Sequence, residues 1–314
     1  MIVKHNINIE ESESHQALFF LEEVIKMSAA NIYIQGYPGS FHHGVANRYF
    51  EQEIKIIPCD SFEQLGRFLA EGSDDDYAVM AIENSIAGTI LPNFRILREY
   101  NLNVIGEIYS RIEMQLMALP GEDMSTIKEV RSHHMAIKQC YNYLHQYPDL
   151  RLVDSEDTAL AAKEIKERNL SGVACIASRQ AAELYGLDII ATSIEDIELN
   201  YTRFFILKNH SVEVKTGNKA SIWIRLEDTP GSLLKVLKEF DFANINISKL
   251  QSYPVLGQFS EYYFHMDLEF GDIEQYQLAM SKIEPLTIQL HQLGIYKKAD
   301  ISAVFKNQLN EYLL

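Results

Sequence analysis

The chain has 314 residues, 47% of them hydrophobic, and a formal charge of −16. A sizeable core is within reach and wholesale disorder is excluded. The acidic balance argues against a nucleic-acid partner, whose phosphates are bound by basic side chains, and an anionic ligand would need a local cluster of donors to overcome the global field. Cys59, Cys140 and Cys175 lie far apart without metal-ligand spacing, and an odd number of thiols suits a reducing compartment. The start, "MIVKHNINIEESESH", carries acids where a secretory signal carries bases, and no window approaches the ~20 apolar residues of a membrane span. The expectation is a soluble cytoplasmic protein with no nucleic-acid and no membrane partner.

Residues 1–30 read as an N-terminal extension in which "HQALFFLEEVIKM" has helical spacing. From Asn31 short apolar runs alternate with amphipathic stretches. "NIYIQG", "IKIIP", "YAVMAIE", "LNVIGEIYS" and "EMQLMALP" read as strands. "SFHHGVANRYF", "SFEQLGRFLAEG" (Ser61 as N-cap) and "LPNFRILREY" read as helices between them. "EVRS" leads into the helix "HHMAIKQCYNYLHQY", "LRLVD" into "SEDTALAAKEIKERN" with Ser155 as cap, and "GVACIA" into "SRQAAELYG" and then the strand "LDIIAT". Such alternation predicts an α/β domain over 31–208 with largely parallel strands, whose ligands sit beyond the carboxyl ends of the strands. Residues 209–218 are polar and turn-rich, a linker. Over 219–296 the order is "ASIWIRLE", the helix "TPGSLLKVLKEFDF" (Thr229 as N-cap, Pro230 at the first helical position), two strands, the helix "DIEQYQLAMSKI" and the strand "LTIQLHQLG". That is the ferredoxin-like βαββαβ pattern. The tail, 297–314, is predicted helical.

Four stretches can carry chemistry. Glu83, Asn84 and Ser85 in "AIENSIAG" follow an apolar strand, where an amide and a hydroxyl could donate to a carboxylate or merely shape a turn. In "RSHHMAIKQC", Ser132 stands where a helix cap would sit and Gln139 two turns further on nearly the same face. In "LNYTRFFIL", Thr202 and Arg203 sit at the mouth of a strand that continues with Phe204. Arg203 is either an anion clamp or a side chain reaching for solvent. The Pro-Gly turn of "DTPGSLL" exposes backbone N–H groups beside "ISKLQSYP". "GYPGSFHH" is neither a dinucleotide fingerprint nor a Walker loop. The adjacent pairs His42–His43 and His133–His134 diverge on a helix and are poor chelators, so no metal is expected.

Together these stretches resemble the prephenate dehydratase family with a C-terminal ACT domain. "YGLDIIATSIEDIELNYTRFF" is similar to the family signature, "AIENSIAG", "RSHHMAIKQC" and "GYPGSFHH" fall in the family's order, and "PGSLL" and "ISKLQSYP" are similar to the two boxes of the regulatory domain. The resemblance spans roughly residues 31–294. It implies a two-lobed, periplasmic-binding-protein-like catalytic domain, crossed twice by the chain, plus the ferredoxin-like ACT domain. It implies decarboxylating dehydration of prephenate to phenylpyruvate without cofactor or metal, and a homodimer or homotetramer formed through ACT domains. Catalysis would fall to Thr202, Arg203, Asn84, Ser132 and Gln139, with Glu83, Ser85 and Phe204 binding substrate. L-phenylalanine, as effector, would meet Pro230, Gly231, Ser232, Leu233, Leu234, Asn246, Gln251, Ser252, Tyr253 and Pro254. The sequence departs from the family where His134 and Met135 replace Pro and Gln, and where Gln251 and Tyr253 replace Glu and Arg in the effector box. Arogenate dehydration, or a non-catalytic amino-acid sensor, are the competing readings.

Overall fold

A computed structural model describes residues 30–50, 53–212, 216–255, 257–258 and 261–302. The helices expected before residue 30 and after residue 302 lie outside the described residues. The chain builds three sheets. The first carries β1 (Ala30–Gln35), β2 (Ile54–Cys59), β3 (Tyr77–Asn84), the short β4 (Gly88–Thr89), β5 (Asn103–Arg111) and β11 (Tyr201–Lys208), in the order β2-β1-β3-β11-β5 with β4 paired to β3. Helices α1 (Phe41–Tyr49), α2 (Phe62–Glu71) and α3 (Leu91–Glu99) connect its strands.

The second sheet is β10 (Asp188–Ala191), β6 (Gln115–Ala118), β9 (Val173–Ala177), β7 (Glu129–Ser132) and β8 (Arg151–Asp154), in that order. With it go α4 (His134–Gln139), α5 (Tyr141–Leu144), α6 (Thr158–Glu167) and α7 (Arg179–Tyr185). The chain passes from the first sheet to the second after Arg111 and returns at Tyr201, so the two sheets form two lobes. Strands β1, β2 and β3 are parallel, but β11 is antiparallel to both β3 and β5. A strand that re-enters from the other lobe must start at the end where β3 and β5 finish. The sequence alternation alone, which suggested a largely parallel sheet, could not reveal that.

The third sheet is antiparallel: β13 (Asn246–Pro254), β14 (Tyr262–Glu269), β12 (Lys219–Arg225) and β15 (Gln289–Tyr296). One face is covered by α8 (Ser232–Phe242) and α9 (Ile273–Ile283), which bury Val236, Phe240, Tyr276 and Ile283 against Ile222, Ile224, Met266 and Leu268. Its other face packs on the first lobe, where Tyr253, Leu293 and Tyr296 share a core with Met80, Ile82, Phe94 and Phe205. The approach is close: a Cβ added at Gly294 would lie 1.9 Å from the carbonyl oxygen of Val104 in β5, so only glycine fits there. Among the described residues no helix is long and apolar enough to cross a membrane.

Local chemistry moves several helix starts. Ser61 caps α2 by accepting the Gln64 N–H. Ser132, by contrast, ends β7, and its hydroxyl donates to Ile176 O at 2.6 Å, leaving His133 as the cap of α4. Asp157, not Ser155, caps α6. Gly231, at φ 84°, precedes α8, so Thr229 and Pro230 stay in the turn. The helix expected over 133–147 breaks at Cys140 into α4 and α5.

Candidate functional site

A cavity of about 250 Å³ lies between the two lobes. The first lobe contributes the end of β1 (Gln35), the start of α1 (Ser40, Phe41, His42) and Asn84, Thr202 and Phe204. The second contributes His133 and Gln139 from α4 and its cap, and Glu156, Asp157 and Thr158 at the start of α6. Further ties hold the lobes together: Ser178 Oγ donates to Gly39 O at 2.5 Å and Tyr185 OH to Pro38 O at 2.7 Å. Gly36 has φ 88°, and a Cβ there would fall 2.5 Å from Asp157 Oδ2 across the cleft.

One irregularity aims the side chains of β3. Thr202 pairs with Asn84 and Arg203 with Glu83, but Phe204 pairs with Ala81, so Ile82 is an extra residue in β3. Such a bulge breaks the alternation of faces. Glu83 therefore joins Ile82 on the side of the third sheet, where its carboxylate meets Lys249 Nζ at 2.9 Å. Asn84 turns to the cleft with Thr202. The Asn84 amide is oriented by its surroundings, since its Oδ1 accepts from the N–H groups of Ile86 and Ala87 at 3.0 and 2.9 Å. Its Nδ2 then donates to Thr202 Oγ1 at 3.0 Å and to Asn200 Oδ1 at 2.8 Å. Asn200 Nδ2 donates in turn to Gln139 Oε1 at 3.2 Å. A chain of amides thus runs from the hydroxyl in one lobe to α4 in the other. Asn200, fully buried, was missed in the sequence; its signal was only its place two residues before Thr202.

The remaining expected residues go elsewhere. Arg203 is 2% exposed and points away from the cleft. Its Nε donates to Glu107 Oε2 at 2.7 Å, and its Nη1 pairs with Asp267 of the third sheet. Burial works against that charge, but the carboxylates of Asp267 and Glu107 outweigh it and hold the guanidinium well above its ordinary pKa. The expectation of Arg203 as a substrate clamp is corrected accordingly, because its charge is matched inside the protein. Glu83 is corrected likewise, by Lys249. The Ser85 hydroxyl donates to Leu199 O at 2.9 Å and accepts the Tyr201 N–H, fastening the crossover instead of lining the cleft. Ser132 is spent on Ile176 O. The cleft therefore gathers Asn84, Gln139, Thr202 and Phe204, and disperses Glu83, Ser85, Ser132 and Arg203.

His42 stands at the cleft wall with its ring edge-on to Phe204 at 5.0 Å, and burial presses its pKa down to about 4. Among the described lining residues there is no lysine or arginine. The positive end of α1 opens on the cleft instead.

The model of the family described as "Prephenate dehydratase" matches residues 32–212. The chain belongs to the prephenate dehydratase family. "Arogenate dehydratase/prephenate dehydratase 2, chloroplastic" of Arabidopsis thaliana is 32% identical over 291 residues, covering 88% of this chain and 74% of that protein. Among solved structures, "GqqA- a novel type of quorum quenching acylases" superimposes with a TM-score of 0.77 at 29% identity, over 86% of this chain and 99% of its own. The prephenate dehydratase of Arthrobacter aurescens in complex with L-Phe superimposes with a TM-score of 0.76 at 26% identity, over 86% and 91%. Members of the family are lyases that dehydrate and decarboxylate prephenate, and their fold is like that of periplasmic binding proteins.

In the C-terminal βαββαβ region, Gly231, Ser232, Leu233 and Leu234 border a cavity of about 350 Å³ with Tyr262 and Phe264. Pro230, Asn246, Ser252 and Pro254 are exposed. Tyr253 is not available to a ligand there: it is buried against the first lobe, with the Arg98 guanidinium 5.6 Å from its ring. Gln251, paired with His265, shares that inward face.

Proposed function

We propose that the interlobe cleft converts prephenate to phenylpyruvate, carbon dioxide and water, with Thr202 as the donor to the departing hydroxyl. Prephenate is a dianion, and the reaction takes up one proton. The electrons of the breaking carbon–carboxylate bond enter the ring and expel the ring oxygen, which leaves as water, and the ring becomes aromatic. The step needs a donor at that oxygen and a dry, oriented cleft. The observation that carries the reading is the Asn84 amide donating to Thr202 Oγ1. With its lone pair engaged, the hydroxyl turns its own hydrogen outward to an acceptor in the cleft. A threonine is a poor acid, so its contribution is a positioned hydrogen bond rather than full transfer. Gln139 and Asn200 hold the arrangement from the other lobe, Phe204 and His42 wall the ring, and the α1 N-terminus supports a carboxylate.

The C-terminal region is read as an ACT domain that binds L-phenylalanine at the Gly231–Leu234 turn and mediates a homodimer or homotetramer. The altered effector box leaves Gln251 and Tyr253 without an evident ligand role. Three free, buried thiols suit a reducing cytoplasm. The test is phenylpyruvate formation from prephenate by purified protein, with arogenate as the parallel substrate; no turnover of either rejects the reading. Calorimetry with phenylalanine tests the effector: no heat up to millimolar ligand rejects that part.

A further inference from the structure

Thr202 and Arg203 are adjacent in sequence and opposite in space. One faces the cleft; the other is sealed beneath the third sheet. Arg203 Nη2 lies 2.6 Å from Glu107 Oε2 and 3.2 Å from the Tyr296 hydroxyl, while Nη1 meets Asp267. Glu107 also accepts from Lys219 Nζ at 3.0 Å and from the N–H of Ala299 at 3.1 Å. Ser221 Oγ donates to Asp267 Oδ1 at 2.6 Å and sits 2.6 Å from the Tyr296 hydroxyl. The four charges, Arg203, Lys219, Glu107 and Asp267, are each at most 5% exposed and balance two against two. Within the first lobe the Arg203 guanidinium meets Glu107 and lies over the Phe205 ring, 4.7 Å from its centroid. Asp267 and Tyr296 belong to the C-terminal region. A balanced buried set of this kind tolerates little displacement, because separating any member strands a charge in low dielectric.

We propose that Asp267 and Tyr296 are positioning residues for the reaction: by clamping Arg203 from the C-terminal domain they fix the start of β11 and hence the aim of the Thr202 hydroxyl. The geometry gives the route. Thr202 is one peptide bond from Arg203, and both sit in register between Asn84 and Glu83 of β3 and Ser110 and Tyr109 of β5, so a shift of Arg203 passes directly to Thr202. The proposal rests on Thr202 as the donor. It makes the seating of the C-terminal domain a condition for a competent cleft, by contacts remote from any effector.

The variants are Tyr296→Phe, which removes one oxygen, and Asp267→Asn. Since a misplacement of about 1 Å costs up to about a hundredfold in rate, kcat for prephenate is expected to fall about fivefold in the first and about thirtyfold in the second. KM should stay within about twofold in both. In a Thr202→Ala background Tyr296→Phe should have no further effect, whereas a general weakening of the fold would act in either background. Should Asp267→Asn fail to fold, Tyr296→Phe and the double variant decide. Wild-type turnover in the same assay separates the two readings. No turnover rejects the reaction and this role with it. Turnover with an unchanged Tyr296→Phe, or a Tyr296→Phe loss that persists undiminished without Thr202, rejects this role alone.

Discussion

Replacing Asn84 by aspartate changes the chemistry of one atom at the centre of the cleft while keeping its shape. The carboxylate oxygen in place of Oδ1 still accepts from Ile86 and Ala87. The other oxygen now faces three acceptors, Thr202 Oγ1, Asn200 Oδ1 and the carbonyl of Tyr201, all of which received the amide before. Thr202 can answer by rotating its hydroxyl hydrogen toward the new carboxylate, and Asn200 only by giving up Gln139. The stability cost of the mismatched acceptors is about 1–3 kcal/mol, readable as a lowered Tm. The cost to function is larger, because the hydrogen that Thr202 should offer to the departing oxygen is turned away from it. Loss of one donor at a developing oxyanion is worth about 3–4 kcal/mol, so kcat/KM for prephenate should fall by about 10²–10³. Asn84→Ala is the comparison: it loses the same bond but leaves the hydroxyl free to rotate, and should lose only about fivefold, since a neutral hydrogen bond contributes about 1 kcal/mol. Steady-state phenylpyruvate formation measures both. An aspartate variant within about threefold of wild type, or no worse than the alanine variant, would refute the assignment of the hydroxyl's direction and with it the role of Thr202.

Thr202→Ala should lower kcat by about 10²–10³, because the same donor is lost outright, with a circular-dichroism spectrum like that of wild type, since a small side chain at the cleft wall is removed. Glu83→Gln should change KM by less than about threefold, because a partly exposed pair with Lys249 contributes little; a larger change would return Glu83 to the cleft. His42, held down to about 4 by burial against an ordinary 6.5, is protonated first in the unfolded chain. Its share of stability is therefore complete above pH 6.5 and lost as pH falls toward 4, at about 1.4 kcal/mol per unit. His42→Gln should flatten the dependence of Tm on pH within that window, and an unchanged slope would show that the ring is hydrated.

Much of the architecture was legible because two periods, 2 and 3.6, write themselves into sequence wherever one face is buried. The strands "YAVMAIE" and "TRFFIL" and the βαββαβ order of the C-terminal region are of this kind. Direction was less legible: no residue in β11 announces that it returns antiparallel. The pairing of Thr202 with Arg203 in one site could have been rejected from the sequence, since neighbours in a strand face opposite sides. Apolar Phe204 and Phe205 right after them, buried in separate cores, already implied that both faces are covered. Glu83 and Asn84 could not have been sorted that way, because the bulge at Ile82 reverses the alternation and leaves no local signature. Ser132 shows the same limit at a helix start, where a cap residue and a strand-end residue share one composition.

An arginine that faces away also fits the chemistry proposed for the cleft. During the reaction negative charge leaves the ring carboxylate, which departs as neutral carbon dioxide, and gathers on the oxygen opposite. A guanidinium gripping the departing carboxylate would stabilise the substrate more than the transition state and would slow the step. Neutral donors and a helix N-terminus hold an anion with less bias toward its starting position. What the mechanism asks for is a single strong donor at the receiving oxygen. In the proposed reaction Thr202, on the cleft face of β11, is that donor, while Arg203 on the other face is paired with Glu107 and Asp267.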